Sequence, residues 1–322
     1  MSTFPYAFGY KQDLPDERDY KYKAVVTKLP ESVDLTEKLM PVRDQGSLGA
    51  CTAFATGAMV EYVRTKNNLK NWYVSPLFTY YATRQIEGTI DVDAGAYVRN
   101  ALKSAANYGT TKEDYWPYDI QKFTITPPQS AWDDASNHQA LVYYRLQQTR
   151  EDILTCLAEG FPFTFGMMLY ESFIQTQCGF IVHNYLPMPN TTTEKFVGGH
   201  CMLAVGYFTD KETTYIRVRN SWGNFIGLGG YHNIPLDYFL DPKLAADFWT
   251  IRSQEYLQED VVPIPEPPKP EPIAPPEPPK PEPVAPPEPP KPPEEKEDTK
   301  EKIIKWIGIG IIIIIAIFFV LA

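Results

Sequence analysis

The sequence predicts an α+β fold, and three stretches carry that expectation. An apolar run opening at Cys51 has the composition of a buried helix. Two runs around His200 and Asn220 have the composition of adjacent buried strands. From about Val261 the chain turns into proline repeats that end in an apolar segment. Of the 322 residues, about 240 are expected to be globular, enough for one domain with a substantial core.

The helix comes first. Cys51 is followed by Thr52, Ala53, Phe54, Ala55, Ala58, Met59, Val60 and Val63, and Gly46, Ser47 and Gly49 form the turn that leads in. A thiol at a helix N-terminus feels the positive end of the macrodipole, which favours thiolate over thiol. Taken alone, a cysteine in a core helix is more often packing than chemistry. The rest of the chain changes that balance.

A nucleophile needs a base, and the base needs an orienting group. His200 lies in VGGHCMLAVGYF, at the start of a run from Met202 to Tyr207 with strand composition. A second strand, YIRVRNSWGN, ends in Asn220, Ser221 and Trp222. Adjacent pairing of the two strands would bring the Asn220 amide oxygen to one imidazole nitrogen of His200 while the other faces Cys51. Trp222 would then cover that bond from water.

PVRDQGSLGAC, GGHCMLAVGY and VRNSWG resemble, in order, the cysteine, histidine and asparagine motifs of papain-like (C1) cysteine peptidases, in the bacterial and viral branch that lacks a long helical propeptide. His200 lies 149 and Asn220 169 residues after Cys51, near the family spacing of about 130–150. LPESVDL resembles the start of the mature domain, DAGAYVRNALKSAANYG the glycine-bearing substrate wall and its helix, and DFWTI the closing segment. The resemblance spans roughly residues 13 to 255. It implies two lobes, a helical left one carrying Cys51 and a β-barrel right one carrying His200 and Asn220. It implies Cys51 as nucleophile, His200 as general base and then acid, Asn220 as its orienter, and the Gln45 side chain with the Cys51 N–H as oxyanion hole. The resting form would be a thiolate–imidazolium pair. Gly95, Gly199, Gly166 and Met167 are the implied substrate-binding positions, and Trp222 supports the site. Protein or peptide substrates follow, with no cofactor and no metal.

Two departures from the family signature stand beside the nucleophile. Leu48 replaces a cysteine three residues upstream and Thr52 replaces an aromatic residue. With Cys51 set aside, Cys156, Cys178 and Cys201 are an odd set and no disulfide framework, which reads as a reducing compartment. Cys156 is expected to fill a helix core, Cys201 to point into the barrel, and Cys178 is undecided. His138, His183 and His232 show no metal-ligand spacing.

The organisation expected is an N-terminal arm or short prosegment at 1–28, a peptidase domain at 29–255, a Pro/Glu/Lys-rich linker at 256–302 and a transmembrane helix at 303–322. The first segment lacks an apolar signal region and is short for an inhibitory domain; it reads as an arm packed on the domain or as a blocking peptide. The linker holds most of the 31 prolines and repeats EPPKPEPIAPP almost unchanged as EPPKPEPVAPP. Proline fixes φ and removes amide donors, so this stretch is expected to be a polyproline II spacer, on the order of 90 Å for some 30 residues. The alternative is a ligand for SH3-type partners, since Lys269, Pro272 and Pro275 give a KxxPxxP spacing that Lys280, Pro283 and Pro286 repeat. On that alternative the whole chain is a catalytically inert, membrane-tethered scaffold.

Residues 303–322 are apolar but for Lys305, the length of one membrane span. Lys300, Lys302 and Lys305 on the near side lead to a single-pass, tail-anchored membrane protein with its peptidase domain in the cytosol. A glycan at the Asn190 acceptor motif in eukaryotic cells would contradict that orientation. A net charge of −10 argues against nucleic acid as a partner.

Overall fold

The computed structural model describes residues 5–25, 28–178 and 185–262. At its centre is helix α1, Cys51–Lys66, buried on every side from Cys51 through Arg64. A helix with no solvent face carries no polar stripe, and its sequence is accordingly mostly apolar on all sides. Its buried charges are paired: Glu61 meets Arg43 at 3.1 Å and accepts the Val74 N–H at 2.9 Å. Helix α2, Pro76–Glu87, starts with the Ser75 hydroxyl accepting from Phe78 N–H and stops at Gly88, whose φ is 67°. Helices α3, Val98–Asn107, and α4, Gln129–Ala135, complete the helical side.

The other lobe is a seven-stranded sheet. Strands β1, Tyr10–Lys11, and β3, Ala96–Tyr97, form a separate parallel pair. The sheet itself comprises β2, Val33–Asp34; β4, Ala140–Arg145; β5, Phe163–Tyr170; β6, Phe196–Asp210; β7, Thr213–Arg219; β8, Tyr231–Pro235; and β9, Ala245–Gln254. Helices α5, Arg150–Ala158, α6, Glu171–Cys178, and α7, Leu236–Leu240, lie between strands in the sequence. Alternation along β6 decides what each residue meets. Met202 and Ala204 join the core of the sheet lobe, while Cys201, Leu203 and Val205 face the cluster that includes Met59 and Val63 of α1. Cys201 therefore points at the lobe interface and not into the sheet core, a correction to the sequence reading.

The β-barrel expected of the right lobe is also corrected. Among the described residues the strands follow an open path, β4-β9-β5-β6-β7-β8, with β2 on β6. Irregular segments take the outer edges instead: Lys21 bridges Arg145 of β4, and Tyr185 bridges Asn233 of β8. Edge amides so satisfied need no closure.

The chain stays on the domain to its last described residues. Val261 bridges Leu69, and Asp260 pairs with the buried Arg64 at 3.2 Å. No described helix is long and apolar enough to cross a membrane. The proline repeats, the apolar segment 303–322 and His183 lie outside the described residues.

Candidate active site

Cys51 is the first residue of α1, and its preceding residue, Ala50, offers no side-chain cap. The amides of Cys201, Gly9, Thr52 and Cys51 itself act on the sulfur to favour the thiolate. The sulfur thus lies beside the residue that follows His200. Gln45 is brought to the same place by its backbone bond to Ser221 O at 2.8 Å. The Ser221 hydroxyl donates to Gln45 Oε1 at 2.5 Å, which turns the Nε2 hydrogens towards Leu48 O at 2.9 Å and Ala7 O at 3.2 Å.

The second half of the site forms as the strand reading expects. His200 on β6 and Asn220, just past β7, meet with Nε2 2.8 Å from Oδ1. Nε2 is thereby engaged, whereas Nδ1 is buried without a hydrogen-bond partner, so the expected bond between the imidazole and Cys51 is not formed in this structure. Trp222 is fully buried and stacks on the imidazole at 4.5 Å and 27°. Among the described residues no group of three His, Cys, Asp or Glu side chains could hold a metal ion.

The cleft is filled by the chain's own N-terminal arm. Tyr6 stacks on Trp222 at 5.0 Å, Ala7 O takes the Gln45 amide, and Gly9 O accepts from Ala96 N–H at 2.7 Å. Space for this path comes from glycines. A Cβ on Gly95, whose φ is 66°, would lie 2.2 Å from Gly9 O, one on Gly166 would meet the Tyr10 ring at 1.9 Å, and one on Gly199 would meet Tyr10 O at 2.7 Å. Further along, Tyr10 Oη and Asp13 N–H both donate to Asp247 Oδ2 at 2.7 Å, Lys11 pairs with Glu87 at 2.6 Å, and Arg99 holds Asp19 at 2.7 Å.

Three of the four expected substrate-binding positions, Gly95, Gly166 and Gly199, therefore line the groove that holds residues 8–10. Met167 does not. Its neighbour Gly166 faces the cleft, so alternation sends the Met167 side chain into the sheet-lobe core, where it is fully buried.

The electrostatics differ from the sequence expectation. Burial pushes the Cys51 thiol up to about 11, against the pull of the surrounding amides. Burial also pushes His200 down to about 4, against the Asn220 bond. Both shifts favour the uncharged thiol and the uncharged imidazole. The thiolate–imidazolium pair implied by resemblance is not the form this filled cleft stabilises, because the arm removes the water that would solvate the ions.

Sequence reasoning missed two contributors. Ser221 was read only as part of the asparagine motif, yet it fixes the Gln45 amide. His232 enters the sequence reading only as a histidine without metal-ligand spacing, yet it is buried against Asn220.

The description "papain family cysteine protease" matches residues 29–238, nearly two thirds of the sequence. The chain belongs to the papain family of cysteine proteases. As a member it is a hydrolase acting on peptide bonds. A peptidase C1-like protein of Acanthamoeba polyphaga mimivirus is 35% identical, over 78% of this chain and 88% of that one. Cysteine proteinase 3 of Entamoeba histolytica is 26% identical, over 71% of this chain and 70% of its own length. The crystal structure of xylellain, a cysteine protease from Xylella fastidiosa, superposes with a TM-score of 0.70 at 33% identity, covering 79% of this chain and 99% of that one.

If Ser221 orients the Gln45 donor of this papain-family site, Ser221→Ala is expected to lower kcat by about 10-fold with KM little changed. That is less than the 10²–10³ for losing such a donor outright, since the amide remains but is no longer held. Steady-state kinetics on an arm-released chain check it.

Proposed function

We propose that this protein is a latent, membrane-anchored cysteine peptidase whose N-terminal arm occupies its own catalytic cleft. Cys51 is the nucleophile, attacking a peptide carbonyl to form an acyl-thioester. His200 Nδ1 takes the thiol proton and returns it to the leaving amine, and Asn220 orients the ring. Gln45 Nε2 and the Cys51 N–H receive the oxyanion. The carrying observation is that one Gln45 hydrogen, spent on Ala7 O in the filled cleft, becomes available when the arm leaves.

The arm supports latency in a second way. The Gly9 N–H that it presents to the sulfur engages the nucleophile directly, acting to lower the thiol pKa. Residues 303–322 supply the apolar length for a membrane anchor, and the lysines before them favour a cytosolic domain. The free, buried Cys51, Cys156 and Cys201 fit that compartment.

The second reading is the inert scaffold, its 256–302 stretch recruiting SH3-type partners; a cleft filled by its own chain is the observation in its favour. Labelling with an epoxide inhibitor of cysteine peptidases separates them. Cys51 should be modified after arm release and Cys51→Ala should not. A folded, arm-released chain that stays unlabelled would establish the scaffold.

The arm's seating should also depend on pH. Asp13 lies against Asp247, Tyr10, Arg99 and Trp249, with Asp19 and Arg145 in the same network. Burial first, then Asp247, raises its carboxyl from 3.8 to about 6. A raised carboxyl favours the seated arm when protonated. Its contribution is full below 3.8 and is lost as pH rises through about 6. His200, held down from 6.5 to about 4 in the filled cleft, acts in the opposite sense, its share being lost as pH falls. Asp13→Asn isolates the carboxyl's share: the rate of limited proteolysis of the arm in the unsubstituted chain, relative to that in Asp13→Asn, is expected to be lower at pH 5 than at pH 7. A ratio that is unchanged or higher at pH 5 would refute this.

A further inference from the structure

His232 is the remaining histidine that reaches the chemistry. It lies in β8, 1% exposed, opposite Val218 of β7. Asn220 donates its N–H to Gly230 O at 2.9 Å, so His232 stands two residues along the neighbouring strand, on the same face. His232 Nε2 is 3.2 Å from Asn220 Nδ2. Its ring sits edge-on to Phe173 at 5.8 Å, and Nδ1 is close enough to Gly227 that a Cβ there would come within 2.5 Å.

Donor and acceptor chemistry then fixes each proton in the row. The Ser221 backbone N–H can only donate, and it lies 2.7 Å from Asn220 Oδ1. That identifies the carboxamide oxygen, so His200 Nε2, at 2.8 Å from it, must carry a proton. The carboxamide nitrogen has only hydrogens to offer, so His232 Nε2 must be the acceptor and the His232 proton sits on Nδ1. Burial, with His200 as the second cause, lowers His232 to about 3, which keeps that acceptor uncharged at working pH.

We propose that His232 is a positioning residue of the peptidase: by accepting from Asn220 Nδ2 it stops the carboxamide from turning over and so keeps Oδ1 on His200 Nε2–H. A turned carboxamide would set its NH2 against two donors, the Ser221 amide and the imidazolium. The proposal rests on the Cys51–His200–Asn220 reading above.

The test uses the full chain carrying Gly9→Val, which cannot seat the arm, with His232→Phe or His232→Gln added. Phenylalanine keeps a ring but offers no acceptor, whereas the glutamine carbonyl oxygen reaches the Nε2 position. His232→Phe is expected to lower kcat about 10-fold with KM little changed, as one buried hydrogen bond is lost. The basic limb of its kcat/KM profile should move to lower pH, because the imidazolium loses a held acceptor. His232→Gln should recover most of both. Equal loss in the two variants with an unmoved limb would make His232 a packing residue and overturn the proposal.

Histidine ¹⁵N spectra of the unsubstituted chain supply a readout independent of folding in the variants. The expected state at neutral pH is Nδ1 protonated and Nε2 bare; the opposite tautomer, or a charged ring, overturns the proposal. If the Gly9→Val parent shows no turnover, the peptidase reading fails, and the tautomer still decides whether His232 holds Asn220.

Discussion

Gly9→Val is expected to raise the rate at which peptide substrates and thiol reagents reach Cys51 by about 10–100-fold, from an overpacking penalty of about 1–3 kcal/mol. The added Cβ would fall 1.9 Å from Gly49 O, 2.4 Å from its carbonyl carbon and 2.6 Å from its Cα. These are backbone atoms at the turn that leads into α1, so no rotamer change relieves the clash. The opposite wall offers no escape, since Gly95 already approaches Gly9 O. The arm must lift, and as it lifts, water returns to Cys51 and His200. The burial that favours their uncharged forms is then removed, so release should raise both access and thiolate content. Leu14→Ala, altering an exposed side chain of the same arm, serves as the control and should leave labelling unchanged. A folded Gly9→Val chain that labels no faster than the parent would refute arm-based latency.

His200→Ala in that released chain is expected to cut turnover by about 10²–10⁴-fold, the usual worth of a positioned acid–base group. The loss comes from three places. Proton transfer from the thiol and to the leaving amine disappears, Asn220 loses its partner at 2.8 Å, and Trp222 loses the ring it stacks on at 4.5 Å. The pH dependence should change with it. Without the imidazole, alkylation of Cys51 should follow a single ionisation near the free thiol value of about 8.5. An alanine variant that alkylates as fast as the released parent at neutral pH would remove His200 from the mechanism.

Much of the site was legible because it is built from local chemistry. A cysteine opening an apolar run, a histidine in one strand run and an asparagine at the foot of the next are each visible within a dozen residues, although β6 already begins at Phe196, upstream of His200. Adjacent pairing of those two strands then brings His200 and Asn220 together. Gly95, Gly166 and Gly199 were legible for a related reason, since a missing side chain marks a close approach even when the approaching group is unknown. Met167, named together with Gly166, belongs to the core, since one step along β5 exchanges cleft for core.

What stayed hidden depends on long-range packing. The edges of the sheet are covered by Lys21 and Tyr185, residues with no strand signal of their own, so the open path was not readable from strand composition. The pairing of β1 with β3 joins positions 86 residues apart, Tyr10 and Ala96. Nothing in MSTFPYAFGYKQD announces its partner, so the arm was equally compatible with a packed extension or a blocking peptide. The sequence by itself determined the candidates: one thiol, one imidazole and one carboxamide in papain-type order. Only the tertiary structure decided their state. Protonation depends on solvation, solvation on what fills the cleft, and the cleft is filled by residues far away along the chain.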